Sequence, residues 1–436
     1  MGPVNAEERR SLLREVELAG SCSHPIRLSG ELLNGATGEV VTKSLKISCK
    51  DRRHVVCPSC SYTYKADAWI LVSSGLIGGK GTPLSVATHP RLFVTVTAPS
   101  FGSVHTITHR GGCVTNRRAE GSTSRSIFCP HGIATSCSLR HGENDPALGR
   151  PLCDQCFDYV GAVLWNAHAS LLWNNSVQLI RRSLAEAGGL NQKSLRRLAQ
   201  VHYLKVAELQ RRGLAHFHIV LRVDGPDCTE DDPPTWLTTE LLIATVRRAL
   251  HKASAQGVDG ETYRWGKHLD IQDLGTEAID NTKIPSYIAK YATKTTDGTR
   301  DLARRFHSRR QIVALIDDPH TQRLALTAWD LHQRASLEPL NLRNHAHCFG
   351  FRGQLITKSR RYSTTFGALR QARASFMSSR NEGDAIEGTF RYDGRGYDDP
   401  RGVQLAEMFF SMKRELRQSL AAKRRNEAAS DSESTL

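Results

Sequence analysis

Two apolar runs joined by a short polar link constrain this chain more than any other feature. Residues 202–209 read HYLKVAEL and residues 216–223 read HFHIVLRV, with Gln-Arg-Arg-Gly-Leu-Ala between them. Apolar and β-branched runs flanking a Gly-containing turn predict an antiparallel hairpin. Side chains two apart leave the same face of a strand, so His216 and His218 project together, about 7 Å apart along the chain. With the turn centred on Arg212, Glu208 stands directly opposite His216, with Cβ atoms about 5 Å apart. Two imidazoles and a carboxylate on one sheet face can share a divalent cation and leave positions open for water or a phosphate oxygen. Such mixed nitrogen and oxygen donors suit Mg2+ or Mn2+ better than a closed structural zinc. The bland alternative is that His-x-His is an accident among eighteen histidines; the matched Glu208 weighs against it.

A second pattern lies downstream. Ile284-Pro285 starts a helix reading SYIAKYATK, with Pro tolerated in the first turn. Tyr287, Lys290, Tyr291 and Lys294 are spaced i, i+3, i+4 and i+7, so they share one helical face. An aromatic stripe at this spacing is normally core, but two lysines in it argue against burial. A surface helix whose lysine stems lie along apolar surface is the plain alternative. The chemical reading is that one tyrosine attacks a phosphodiester while a lysine holds the phosphate or lowers the phenol's pKa, ordinarily near 10.

Cysteine use points to metal. Nine of the eleven cysteines fall within the first 156 residues, and two pairs, Cys57/Cys60 and Cys153/Cys156, have Cys-x-x-Cys spacing. The sequence has neither an export signal nor an apolar run long enough to cross a membrane, so a cytoplasmic setting with reduced thiols is expected, and zinc ligation is preferred over disulfides. Cys22, Cys49, Cys57 and Cys60 could close one four-thiolate site, with residues 50–65 forming a small knuckle. Residues 111–156 carry Cys113, Cys129, His131, Cys137, His141, Cys153 and Cys156, too many for one tetrahedral site, in a stretch with little apolar periodicity. Zinc that holds a loop is the preferred reading there; contact with nucleic acid through Arg110, Arg117, Arg118 and Arg125 is secondary.

Charge supplies the partner class. There are 59 Lys+Arg against 44 Asp+Glu, a net +15, and so large an excess points to a phosphate-rich partner. The excess concentrates in residues 176–222, where Arg211 and Arg212 flank the hairpin turn, and in residues 351–380, which include Lys358, Arg360 and Arg361. In the second block Phe351, Tyr362 and Phe366 are interleaved with the cations, a combination suited to phosphate contact and base stacking.

Taken in order, FVTVTAPS, Glu208 with His-Phe-His, and Tyr-Ile-Ala-Lys-Tyr follow the three-motif arrangement of the His-hydrophobic-His (HUH) superfamily of single-strand endonucleases. The chain resembles the rolling-circle replication initiators of actinobacterial plasmids and integrative elements, of RepSA-like type. CPSCS, HPRLFVTVTAPSFGSVH, CPHG, LCDQCFDYVGAVLWNAH, QRRGLAHFHIVLR, YIAKYATK and FRGQLITKSRRYSTTFGALR carry the resemblance, from about Cys22 to about Ala374. It implies that His216, His218 and Glu208 bind the catalytic Mg2+ or Mn2+. It also implies that a tyrosine becomes 5′-phosphotyrosyl-linked to origin DNA, single-stranded at the nick, and frees a 3′-OH primer. The tyrosine after the lysine, Tyr291, maps to the nucleophile, and Tyr287 takes the place where some relatives have a glutamate or a second tyrosine. Host helicase and polymerase are the implied partners, and no ATP is required.

The fold expected is α+β: an antiparallel HUH endonuclease core with Cys-rich zinc-binding segments and a helical, basic C-terminal region. The expected organisation is an N-terminal zinc-binding region to residue 88, an endonuclease domain over 89–300 with an insertion at about 110–157, a DNA-binding region over 301–422, and a disordered tail over 423–436. Two rival readings are a zinc-dependent DNA-binding regulator without nuclease activity, and a transposase or relaxase with the same chemistry.

Overall fold

A computed structural model describes residues 6–33, 40–107, 128–226, 231–275, 283–293, 305–380 and 387–433. In chain order the elements are α1 (Ala6–Leu18), β1 (Ile26–Leu33), β2 (Val40–Ile47), α2 (Pro58–Ile77), β3 (Arg91–Thr97), α3 (Tyr159–Ala187), α4 (Gln192–Arg196), β4 (Gln200–Leu209), β5 (Ala215–Asp224), α5 (Thr239–Lys252), β6 (Ser254–Gln256), β7 (Thr262–Arg264), β8 (Leu269–Asp273), α6 (Lys283–Thr293), α7 (Arg309–Leu315), α8 (Pro319–Leu331), β9 (Ile356–Lys358), α9 (Phe366–Arg380), β10 (Glu387–Arg395) and α10 (Arg401–Glu433). The chain is a mixture of helices and antiparallel sheets, organised as two compact units.

One unit holds residues 68–366. Its sheet has the order β8-β3-β5-β4-β9, every neighbouring pair antiparallel. β5 is buried at every position, as a central strand covered on both faces must be. Phe217, Ile219, Leu221 and Val223 pack with Trp165, Leu172, Trp173 and Ile180 of α3. α3 starts at Asp158, whose side chain accepts from Gly161 N–H and so satisfies one of the amides that a helix N-terminus leaves open. The opposite face of β5 carries His216, His218, Val220, Arg222 and Asp224, by the strict alternation of a strand. α6 lies against β4 on the sheet, with Ile288 and Ala289 buried. At the other end of this face Gly75 of α2 meets the buried ring of Tyr362 so closely that a Cβ at position 75 would fall within the ring.

The other unit holds residues 1–67 and 367–436. A three-stranded antiparallel sheet, β10-β1-β2, brings the two ends of the chain together. Val16, Tyr397 and Ala406 form a small core beside it, and Lys46 bridges Glu15 and Asp398 at 2.9 and 2.7 Å.

Three expectations change. The N-terminal and C-terminal regions belong to one unit, and the divisions fall at 67/68 and 366/367 rather than at 88 and 300, because β10 pairs with β1 while β9 pairs with β4. Residues 58–65, expected as part of a knuckle, are the first turns of α2. Pro58 occupies the start of that helix, where a missing N–H costs nothing. The segment 423–433, expected as disordered, continues α10: alanine, arginine, lysine and glutamate are good helix formers, and neither Gly nor Pro interrupts them. Among the described residues no helix is long and apolar enough to cross a membrane.

Candidate functional site: the histidine hairpin and the Cys/His groups

β4 and β5 pair with Glu208 opposite His216 and Val206 opposite His218. The turn closes through Gly213 N–H donating to Gln210 O and Gln210 N–H to Leu214 O. Buried Asn166 of α3 holds this turn from below. Its amide donates to Gly213 O at 2.8 Å, and its oxygen accepts from Ala215 N–H at 2.9 Å. The hairpin is thereby fixed to the helix that carries the core.

The resulting face gathers the expected residues. The rings of His216 and His218 are 4.6 Å apart, and His218 Nε2 stands 3.6 Å from Glu208 Oε2. Burial, aided by the neighbouring His218, pushes the His216 imidazole down to about 4, so at neutral pH it carries a lone pair rather than a charge. Gln210 Nε2 lies 3.4 Å from His216 Nδ1, and Thr95 Oγ1 lies 3.4 Å from His218 Nδ1. Tyr287 of α6 stands edge-on to His218, with ring centres 5.2 Å apart, and is partly open to solvent. Lys290 is exposed on the same helix. The side chain of Tyr291, and Lys294 as a whole, lie outside the described residues.

Among the described residues, three sets of Cys and His donors each lie within 4.8 Å of one another. Glu208, His216 and His218 form a looser set than these. In the terminal unit Cys22, Cys49, Cys57 and Cys60 come together as expected. Cys22 Sγ and Cys57 Sγ are 3.7 Å apart, far beyond a disulfide and close to the roughly 3.8 Å edge of a tetrahedron with 2.3 Å Zn–S bonds. Hydrogen bonds from Cys22, Cys49 and Cys60 pull the Cys57 thiol far below its ordinary range, and thiolate is the form of sulfur that binds metal. In the larger unit the expected cluster divides. Cys129, His131, Cys153 and Cys156 assemble, with His131 Nδ1 at 3.3 Å from Cys156 Sγ and 3.6 Å from Cys153 Sγ. Cys137 stands apart from them, beside His105 and His141. Cys113 lies outside the described residues, as do Arg110, Arg117, Arg118 and Arg125.

The sequence model of a family described as "RepSA: Replication initiator protein, pSAM2" matches residues 8–410. The chain belongs to the RepSA replication initiator family. A replication initiator protein of Streptomyces ambofaciens is 37% identical to it over 383 residues, 84% of this chain and 77% of that protein. No solved structure matches.

In this RepSA-family chain several cations expected at a nucleic-acid surface are engaged within the protein. Arg212 is half-buried; it donates to Gln210 Oε1 at 2.9 Å and to the carbonyls of Pro99 and Ala98 at 3.2 Å, tying the hairpin turn to the end of β3. Arg211 donates to Asp145 O and Glu143 O. Lys358 Nζ donates to the carbonyls of Ser359, Arg360 and Ser363. Phe351 and Tyr362 are core residues, so base stacking on them is ruled out by burial. Arg360 and Arg361 are exposed.

The histidine face also has a polar half that was not among the expected site residues. Arg222 and Asp224 follow the histidines in the same parity, and both are fully buried. Arg222 grips Asp224 with Nε at 2.6 Å and Nη2 at 2.7 Å, donates from Nη1 to Gly75 O, and is joined by His89 Nδ1 at 2.8 Å from Asp224. Arg91 donates to Leu76 O and Gly275 O. Two guanidiniums thus cap the C-terminal carbonyls of α2, where the helix dipole favours cations. Their parity was readable in the sequence; the carbonyls they serve are distant in it. The same registers place Asp270 of β8 opposite Thr95, on the histidine face.

Burial would raise the Asp224 carboxyl, but hydrogen bonds from His89 and Arg222 hold it below the usual carboxylate range. Its contribution to stability is therefore complete above about pH 4 to 5 and is lost as pH falls through the depressed value. Asp224→Ala is expected to cost ~3–5 kcal/mol at pH 7 by leaving Arg222 buried without its counter-ion. The gap between the unfolding midpoints of variant and wild type should narrow progressively as pH falls below about 4; a gap that stays constant through the acid range would show that the ion pair is not the cause.

Proposed function

We propose that this replication initiator is an HUH-type, metal-dependent single-strand endonuclease and strand transferase. It would nick one strand at a plasmid or integrative-element origin and start rolling-circle replication. The observation that carries this reading is the single sheet face on which Glu208, His216 and His218 converge with the Tyr287 ring beside them. A divalent cation held by these three donors would supply the positive charge that polarises the scissile phosphate. The donor set fits Mg2+ or Mn2+: two nitrogens, of which that of His216 stays neutral at working pH, and one carboxylate.

The attacking phenol, Tyr291 or Tyr287, loses its proton and bonds to phosphorus as the 3′-oxygen of the preceding nucleotide leaves and takes up a proton. One phosphoester bond forms for each that breaks, so the reverse step can rejoin the strand without ATP. Tyr291 directly follows Lys290, whose ammonium can hold the phosphate. Tyr287 is supported by its position against His218. Origin DNA, single-stranded at the nick, is the substrate, with Arg360 and Arg361 as exposed cations on the approach, and host helicase and polymerase would act on the freed 3′-OH.

The test is incubation with an origin oligonucleotide and Mn2+, followed by peptide mapping of the adduct. One covalent adduct on Tyr291 or Tyr287 is expected, lost in the corresponding Tyr→Phe variant. Its absence, or its persistence in the Tyr287→Phe/Tyr291→Phe double variant, would overturn the assignment. Tight duplex binding without nicking, unaffected by His216→Ala, would favour a zinc-dependent regulator instead.

A further inference from the structure

The chain between β3 and α3 contains a third group of donors, separate from the one around Cys129. His105 is held by its backbone: its N–H donates to Arg150 O and its carbonyl accepts from Gly149 N–H, both at 2.9 Å. This sets its ring against that of His141, with Nδ1 of His105 at 3.0 Å from Nε2 of His141. Cys137 Sγ lies 3.4 Å from the same nitrogen. All three residues are partly buried.

Tetrahedral zinc with bonds of about 2.0–2.1 Å to nitrogen and 2.3 Å to sulfur keeps its ligand atoms roughly 3.3–3.6 Å apart. His141 Nε2 stands close to that spacing from both neighbours, and all three donors lie within 4.8 Å of one another. The outward nitrogen of His141, Nδ1, is 2.7 Å from Asp145 Oδ2, and a carboxylate behind a ligating imidazole is the usual device for setting its tautomer and raising its basicity. A hydrogen-bonded relay would account for the Asp145–His141–His105 chain alone. It gives no reason for a thiol to converge on the nitrogen that His105 already faces.

The same loop grips the hairpin. Arg211 donates from Nη1 to Asp145 O at 2.8 Å and from Nη2 to Glu143 O at 3.2 Å. Gly149 has φ +84°, and a Cβ there would collide with Arg211, so the loop and the turn touch backbone to side chain. Asp145 therefore faces the imidazole with its carboxylate and the hairpin with its carbonyl.

We propose that His105, Cys137 and His141 form a further metal site, oriented by Asp145, that clips the segment between β3 and α3 to the turn joining Glu208 and His216. One thiolate with two imidazoles selects a zinc-class cation, and three protein donors leave a fourth position for water. The site does not depend on the nicking chemistry, so its tests use no DNA.

Native mass spectrometry of the full-length protein, loaded with zinc and freed of loose metal by gel filtration, reads the site directly. Wild type is expected to hold three zinc ions per chain, and Cys137→Ala and His141→Ala one fewer. Asp145→Asn, which keeps every ligand, is expected to yield one zinc to a chelator at ~10- to 100-fold lower competitor concentration. Hydrogen exchange in residues 209–215 should quicken in Cys137→Ala. Zinc content equal to wild type in both ligand variants would overturn the site, and unchanged exchange in the turn would overturn the clip.

Discussion

His218→Ala is expected to lower the rate of covalent adduct formation by ~10³-fold or more while leaving oligonucleotide binding nearly intact. His218 occupies the middle of the histidine face. Its neighbours are His216, Glu208, Thr95, Phe93 and Tyr287, so it touches both the donor set and the aromatic ring nearest to it. On the proposed mechanism, loss of one of three donors to a cation that would contribute several kcal/mol of transition-state stabilisation predicts this scale, at about 1.4 kcal/mol per tenfold. His216→Ala should act alike, and in both variants more Mn2+ should be needed for half-maximal residual rate. Glu208→Gln keeps the shape and removes the charge, and is expected to fall between wild type and the histidine variants. Because His218 is buried, each variant's unfolding midpoint is read alongside. A rate within threefold of wild type in a folded His218→Ala would show that these histidines serve packing alone.

The four sulfurs of Cys22, Cys49, Cys57 and Cys60 are placed to hold zinc, and removal of zinc bound there is expected to unfold much of the terminal unit and spare the other. Among the described residues this unit has a three-stranded sheet and only small apolar cores, one of them made of these cysteines with Ala19. Structural zinc sites of this kind are worth ~10–16 kcal/mol in apparent folding free energy, more than such cores can replace. Cys57→Ser, or a strong chelator, should therefore produce proteolytic cleavage within residues 26–47 and 387–395. The sheet around β5 should stay protected in hydrogen exchange, because its core does not include this site. Full protection of β1 in metal-free protein would defeat the idea.

How far the sequence could be read depended on the range of the interactions. The β4–β5 register followed from local rules, since strand alternation and a short turn leave one pairing that puts Glu208 across from His216. The helix α6 was legible for the same reason, its i, i+3, i+4, i+7 face being carried by contiguous residues. The roles expected for Arg212, Lys358 and Tyr362 did not follow from charge and aromatic character. Arg212 is hydrogen-bonded to the carbonyls of Ala98 and Pro99, and Tyr362 is packed on Gly75, partners that lie far away in the chain. Composition reports that a guanidinium exists and says nothing of which backbone carbonyl captures it.

The Cys and His donor groups show the same division. The Cys-x-x-Cys pairs declared themselves, because their two sulfurs are brought together by a single turn of chain. Grouping the remaining donors required the fold: Cys137 joins His105 and His141 rather than Cys129 because the backbone of His105 is paired with residues 149 and 150. The sequence by itself determined the family, the antiparallel hairpin and the chemical types at the histidine face, all of which are encoded by residues near one another. Only the tertiary structure decided which cysteine meets which histidine, which arginines face inward and that the two ends of the chain share one sheet. Those outcomes depend on contacts across long stretches of chain, whose closure is compensated only when the whole unit packs.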